Sequence, residues 1–123
     1  MFKVDVEKTA DVAIVRCIGR LIRGEAVSTL RNAVVSGTNG QTILLDLSEV
    51  EALDAGGLNA LVSLRQWAVN RRIKVKLVDP STFVREILMR FRLDRVFEIS
   101  SFRDALVVLA GHQCCFMAAP QVG

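Results

Sequence analysis

The run Thr42-Ile43-Leu44-Leu45-Asp46-Leu47 constrains the fold more than any other stretch of this 123-residue chain. A strand with one wet face alternates apolar and polar residues. A nearly continuous apolar run is what a strand covered by helices on both faces looks like. Strands of that kind belong to α/β architectures, so the segments on either side are expected to alternate between helix and strand.

Along the chain, Phe2, Val4 and Val6 alternate with Lys3, Asp5 and Glu7, the pattern of a half-buried strand. Val12 to Ile18 is β-branched and apolar, and reads as a second strand, antiparallel to the first across the Ala10-Asp11 link. Gly19 is expected to end it. Glu25 to Val35 sets Ala26, Leu30, Ala33 and Val34 against Glu25, Ser28, Arg31 and Asn32, an amphipathic helix stopped by the turn formers of Ser36 to Gly40. After the Thr42–Leu47 strand and a short link, Leu58, Ala60, Leu61, Val62, Leu64 and Ala68 predict a mostly buried helix from Gly57 onward. Asn59, Ser63, Gln66 and Asn70 form its polar stripe.

Ile73 to Val78 alternates again, with Lys74 and Lys76 pointing away. Asp79-Pro80-Ser81 is a helix-start signal, and Val84, Ile87, Leu88 and Phe91 form the stripe that follows. Val96 to Ile99 predicts a short strand. Ser101 and Asp104 resemble a capping box, and Phe102, Ala105, Leu106 and Leu109 define a last helix ended by Gly111. The predicted order is β-β-α-β-α-β-α-β-α: an α/β fold with a mixed sheet, two leading antiparallel strands, then parallel strands, and about four packed helices. One domain is expected over residues 1–110, with residues 111–123 as a flexible tail.

Composition narrows the function. Hydrophobic residues make up 51% and charged residues 24%, which suits a folded soluble chain. No apolar run reaches the roughly 20 residues of a membrane helix, and the first residues lack the apolar core of a signal peptide, so no transmembrane segment and a cytoplasmic location are expected. The net charge is +3, but the basic runs Arg71–Lys76 and Arg85–Arg95 read as solvated faces, and the chain has no Tyr for base stacking. No nucleic acid partner is expected. Cys17 reads as a small apolar strand residue. Cys114 and Cys115 lie near His112, the lone histidine, with no second pair to complete a metal site.

Asp46 and Asp54 lie near the carboxyl end of a predicted parallel strand, where α/β proteins tend to place their sites, and paired carboxylates there suit acid–base work. No catalytic histidine, metal ligand set or phosphate loop accompanies them, and neither "GTNG" nor "DAGG" has the length or spacing of a nucleotide fingerprint. The expectation is therefore no enzyme, no catalytic residue, no cofactor and no metal.

The puzzle is the stretch Asp54-Ala55-Gly56-Gly57-Leu58. Asp54 suits a helix N-cap, where it accepts bonds from free amides and meets the positive end of the helix dipole. The paired glycines are harder to account for, since each costs a helix about 0.5–1 kcal/mol relative to Ala. They imply either an unusual dihedral or a bare surface at that point.

Leu45-Asp46-Leu47-Ser48, followed by Asp54-Ala55-Gly56-Gly57-Leu58, resembles the STAS domain family, which includes the bacterial anti-sigma factor antagonists. That family's pattern is a buried strand ending in D-L-S, a hydrophobic link, then D-S-S-G-L leading into a helix. The resemblance spans roughly residues 3–110 and takes in Gly19, the helix from Pro80, and Phe97, Ile99, Ser101 and Ala105. It implies the same element order derived above. It also implies partner switching in transcription regulation: the module binds an anti-sigma factor, usually a serine kinase, which phosphorylates the second serine of D-S-S-G and so abolishes binding.

In this chain the two serine positions fall on Ala55 and Gly56, neither of which has a hydroxyl. The resemblance implies a partner-binding turn at Asp54, Ala55, Gly56, Gly57 and Leu58, supported by Asp46, Ser48, Asn59 and Ser63, without the usual phosphoacceptor. An alternative role within the family is a regulatory subunit of a membrane transport system, such as an ABC-type lipid transporter.

Overall fold

The structure is a computed structural model that describes residues 1–101 and 103–104. Five strands, β1 (Phe2–Lys8), β2 (Val12–Leu21), β3 (Thr42–Leu53), β4 (Val75–Val78) and β5 (Glu98–Ser100), form one sheet in the order β1-β2-β3-β4-β5. β1 and β2 are antiparallel, and the pairs from β2 to β5 are parallel. Between them lie α1 (Glu25–Gly37), α2 (Ala55–Asn70), α3 (Thr82–Arg90) and a short 3-10 turn at Leu93–Arg95. The mixed sheet and the element order match the sequence expectation as far as β5. The last predicted helix and the tail lie outside the described residues, apart from the capping bond that Asp104 N–H donates to Ser101 Oγ at 2.9 Å.

The parallel strands follow chain order, so each crossover steps one strand in the same direction. Crossovers of one hand then place their helices on one face of the sheet. Ile43, Leu45 and Leu47 of β3 share a core with Val15 and Cys17 of β2 and Leu77 of β4. To this core α1 adds Ala26, Leu30 and Val34, α2 adds Leu58, Leu61 and Leu64, and α3 adds Val84 and Leu88. Leu44 faces the other way and forms a smaller cluster with Val78, flanked by Val12 and Ile14. Among the described residues all three helices bury their apolar residues on one face, and Leu44 and Val78 are buried on the other; the fourth expected helix lies outside the described residues. Burial pushes the Cys17 thiol up to about 12, with the nearby Asp46 charge adding to the effect. The thiol is an inert core group.

Several boundaries move for physical reasons. Gly19 does not end β2; it pairs with Phe2 on one side and Val50 on the other. Its φ of 107° and the Met1 carbonyl, 2.2 Å from where a Cβ would stand, explain the glycine. α1 continues through Ser36 and Gly37, two of the expected turn formers. Ile73 belongs to the exit of α2, where its N–H donates to the Ala68 carbonyl, so β4 starts at Val75. Phe91 sits at the cap of α3 and is 60% exposed, so the core stripe of that helix is Val84 and Leu88 with Ile87 beside them. β5 begins at Glu98 rather than Val96, which is exposed, while Phe97 is buried.

Replacing Gly19 by Ala should lower the urea midpoint with an unchanged denaturant slope. The positive φ alone predicts a loss of at least roughly 1 kcal/mol, and the contact with Met1 adds to it. An unaltered midpoint would refute this account of the strand.

Candidate functional site

The site is built by two strands that outrun their neighbours. β4 stops pairing with β3 at Asp46, but β3 continues to Leu53 alongside β2 alone. The register between them slips twice, once between Asp46 and Glu49 and once between Val50 and Ala52, and each slip places one extra residue on β3. Such bulges bend and twist a strand. The link expected after Leu47 is therefore extended strand. β2 and β3 finish side by side, Leu21 opposite Leu53, and each turns directly into a helix.

The two turns are joined by Asp54. Its Oδ1 accepts from Gly57 N–H at 2.8 Å, which caps α2, and both carboxylate oxygens accept from Arg23 N–H at 3.1 Å, across to the turn that opens α1. The helix therefore starts at Ala55, two residues earlier than its apolar pattern suggested. The Gly57 N–H, followed by the Arg23 N–H, holds the Asp54 carboxyl below the usual aspartate range. Desolvation opposes these two bonds with a smaller effect, and the Gly56 N–H and the Arg23 charge add still smaller ones in the lowering direction.

The glycines serve close approach, not unusual dihedrals; neither is among the residues with positive φ. A Cβ on Gly57 would lie 2.2 Å from the Leu21 carbonyl oxygen and 2.9 Å from Leu53 Cδ1. A Cβ on Gly56 would lie 2.8 Å from Arg23 Cβ and 2.9 Å from its Cα. The bare surface implied by the sequence is the seat of the Leu21–Arg23 backbone. Arg23 carried no signal of its own in the sequence reading; the glycine pair showed that something must pack there without showing what.

Of the five turn residues, Asp54 and Ala55 are exposed and Gly56 is half-buried, while Gly57 is buried and Leu58 points into the core. The surface of the turn therefore comes from its first three residues. Asn59 and Ser63 continue it: with Ala55 they form an exposed stripe at four-residue spacing along α2. Val62, expected to be buried, lies beside this stripe and is 37% exposed.

Asp46 and Ser48 form a separate pair at the first bulge. The Asp46 carboxylate is buried, accepts from Ser48 N–H at 2.9 Å and Ser48 Oγ–H at 2.7 Å, and is bridged by Arg16 Nε at 3.4 Å. These bonds stabilise the bulge and satisfy a buried charge. No hydrogen bond connects this pair to Asp54 among the described residues. The described residues contain no cluster of three metal-ligating side chains and no helix long and apolar enough to cross a membrane.

A family profile for the STAS domain matches residues 3–105, and the chain belongs to that family. Solved structures share the fold. A protein of Thermotoga maritima assigned as an anti-sigma factor antagonist superimposes with a TM-score of 0.74 at 23% identity, over 84% of this chain and 91% of that one. The unphosphorylated anti-sigma factor antagonist SpoIIAA gives 0.72 at 18% identity, over 89% and 97%. An anti-sigma factor antagonist from Mycobacterium paratuberculosis gives 0.64 at 25% identity, over 88% and 93%.

Helix propensity alone predicts that Gly57→Ala stabilises the protein by about 0.5–1 kcal/mol. Close packing on Leu21 predicts the opposite sign, a lower thermal midpoint, with a smaller loss for Gly56→Ala. A stabilised Gly57→Ala protein would show that the seat is not filled.

The pH dependence of the clamp also has a definite sign. A carboxyl whose pKa is depressed by folding contributes stability that is fully present above its unfolded value and is lost as the pH falls through the folded value. The NMR titration midpoint of the Asp54 carboxyl should lie below that of a free aspartate, with Arg23 and Gly57 amide shifts following it. In Asp54→Asn those amide shifts should no longer titrate there. A midpoint in the ordinary range would contradict the clamp.

Proposed function

We propose that the protein is a non-catalytic, protein-binding module of the anti-sigma factor antagonist kind, working in the bacterial cytoplasm. In this reading an anti-sigma factor docks on Asp54, Ala55 and Gly56 and on the exposed Asn59–Ser63 stripe of α2. The observation that carries it is the D-x-G-G-L turn itself, held by the Asp54 clamp at the end of β3 in a chain of the STAS family.

The same turn argues against the usual release by phosphate. A phosphoryl group adds about −1.5 to −2 charge in the middle of an interface. Here position 55 is Ala and position 56 is Gly, and the space for a side chain at 56 is taken by the Arg23 backbone. The exposed hydroxyls nearest to the turn along the chain are those of Ser48 and Ser63. Ser48 Oγ–H is engaged with the Asp46 carboxylate, and Ser63 lies eight residues along α2 from Ala55, roughly 12 Å at 1.5 Å per residue. Neither replaces a hydroxyl at the helix start. The module is accordingly fixed in its binding-competent state.

Calorimetry of the protein with purified anti-sigma kinases of its own host, with and without Mg-ATP, tests both parts. The expected result is a complex whose affinity does not change on incubation with ATP, and an intact mass without added phosphate. Phosphate on Ser48 or Ser63 together with lost binding would overturn the fixed state. A folded protein that binds none of the host's anti-sigma factors would overturn the partner assignment.

A further inference from the structure

β1 is an outer strand of the sheet, paired with β2 alone among the described residues. It contains no proline, and its register with β2 runs unbroken from Phe2 opposite Gly19 to Lys8 opposite Ala13. Two bonds at the ends fix the phase of the ladder: Arg20 N–H donates to the Met1 carbonyl at 3.1 Å, and Thr9 N–H to the Val12 carbonyl at 2.8 Å. Bonded pairs alternate along an antiparallel ladder, so Lys3, Asp5 and Glu7 turn their backbone groups toward β2. Phe2, Val4 and Val6 turn theirs outward, and no group among the described residues bonds them there. A straight edge with open donors and acceptors is a template for another strand. β5, the other outer strand, offers only Glu98–Ser100.

We propose that the outer edge of β1 is a self-association surface, pairing antiparallel with β1 of a second copy across a two-fold axis at Val4. The contact is isologous, so every facing pair follows from the axis. Val4 faces Val4, and Phe2 faces Val6 of the second copy. These are the residues with outward backbone groups, so the ladder closes. On the helix-covered face the same three side chains are half-buried against the core, and pairing covers their open sides. On the other face Lys3 stands opposite Asp5 of the second copy, and Asp5 opposite its Lys3, in the non-bonded positions where side chains lie closest. Moving the axis brings like charges face to face. An axis at Lys3 sets that residue against itself. An axis at Asp5 gains Lys3 against Glu7 but sets Asp5 against Asp5, and an axis at Val6 sets Asp5 against Glu7. In the Val4 register the like pairs Lys3–Lys3 and Asp5–Asp5 meet only on the longer diagonals, where Glu7 approaches Lys3 as well. From β2, Arg16 stands opposite Asp5, and Arg20 is in line with Glu7 of the second copy, so both neighbouring arginines face carboxylates. The contact closes on itself and uses up the edge, so association stops at a dimer. It is small beside a permanent interface, so the dimer forms in the upper micromolar range.

Sedimentation equilibrium of the whole chain, from micromolar to millimolar concentration, tests the proposal. The expected result is a reversible monomer–dimer equilibrium, with hydrogen exchange at the Val4 and Val6 amides slowing as the dimer forms. Val4→Pro removes the outward N–H at the axis and none of the bonds to β2, and an edge strand tolerates proline there. It should give a folded monomer. Lys3→Asp and Asp5→Lys should each weaken dimerisation by roughly fivefold or more, on the scale of exposed ion pairs. The double exchange Lys3→Asp/Asp5→Lys should return it to within about threefold of the original protein. That rescue is specific to the Val4 register, because with the axis at Asp5 the exchange leaves a carboxylate at position 3 facing Glu7. Asp5→Lys sets a cation opposite Arg16, so thermal midpoints check the fold of each variant, and Val4→Pro tests the edge with both charges in place. A monomer at every concentration, a dimer that survives Val4→Pro, or an Asp5→Lys protein that associates more tightly would each overturn the proposal.

Discussion

The Asp54 carboxylate connects the two halves of the site. It accepts from the first turn of α2 through Gly57 N–H and from the entry to α1 through Arg23 N–H, so the starts of both helices are fixed to one side chain. Each of these amides would otherwise be among the unsatisfied donors that a helix start or a turn leaves over. The arrangement needs the two backbones to come close, and closeness is what the glycine pair provides. Where most helix starts present side chains outward, this one presents Asp54, Ala55 and a bare strip of backbone against a second turn.

That dependence runs back through the sheet. β2 and β3 can end together only because β3 spends two extra residues in bulges, and the first of these is held by the buried Asp46 carboxylate with its bonds to Ser48 and Arg16. Gly19 has a related task on the other side of β2, where it lets the Met1 carbonyl approach the strand. Two acidic residues that looked in the sequence like a pair at one strand end are thus separate devices. Asp46 shapes the strand, and Asp54 joins the turns.

What could be read from the residues divides along the range of the forces involved. The alternation in β1, the apolar run of β3 and the stripes of α1 and α2 are local patterns, and they were legible. So was the Asp54 cap, because a cap is satisfied by amides three residues away. Long-range contacts were not legible. The apolar run at Leu44 and Leu45 showed a strand buried on both sides, but not that the described helices would gather on one face; that follows from the strand order, which no single segment encodes. Gly19 looked like a strand terminator because its function is set by Met1, at the far end of the β1–β2 hairpin. The contact of Gly56 with Arg23, thirty-three positions away in the chain, left only an indirect trace, a residue type that was locally unfavourable. In each case the local rule failed where a distant backbone imposed a constraint of its own.

If position 56 stands where a phosphate-switched relative carries its serine, glycine there means more than a missing hydroxyl. In a turn that is switched by phosphate, the modified side chain needs room and access for a kinase. Here the room is occupied by a neighbouring turn, and the occupant is tied down by the adjacent carboxylate. A side chain at position 56 would displace Arg23 and strain the bonds of Asp54, so the absence of a hydroxyl there and the close packing of the clamp go together. A module built this way, if it binds as proposed, is governed by mass action. Its occupancy of a partner follows the concentration of each component and their affinity, in the manner of any ligand linkage. Control would then act on the amount of the protein or on the partner, because neither Ala55 nor Gly56 offers a hydroxyl to phosphate.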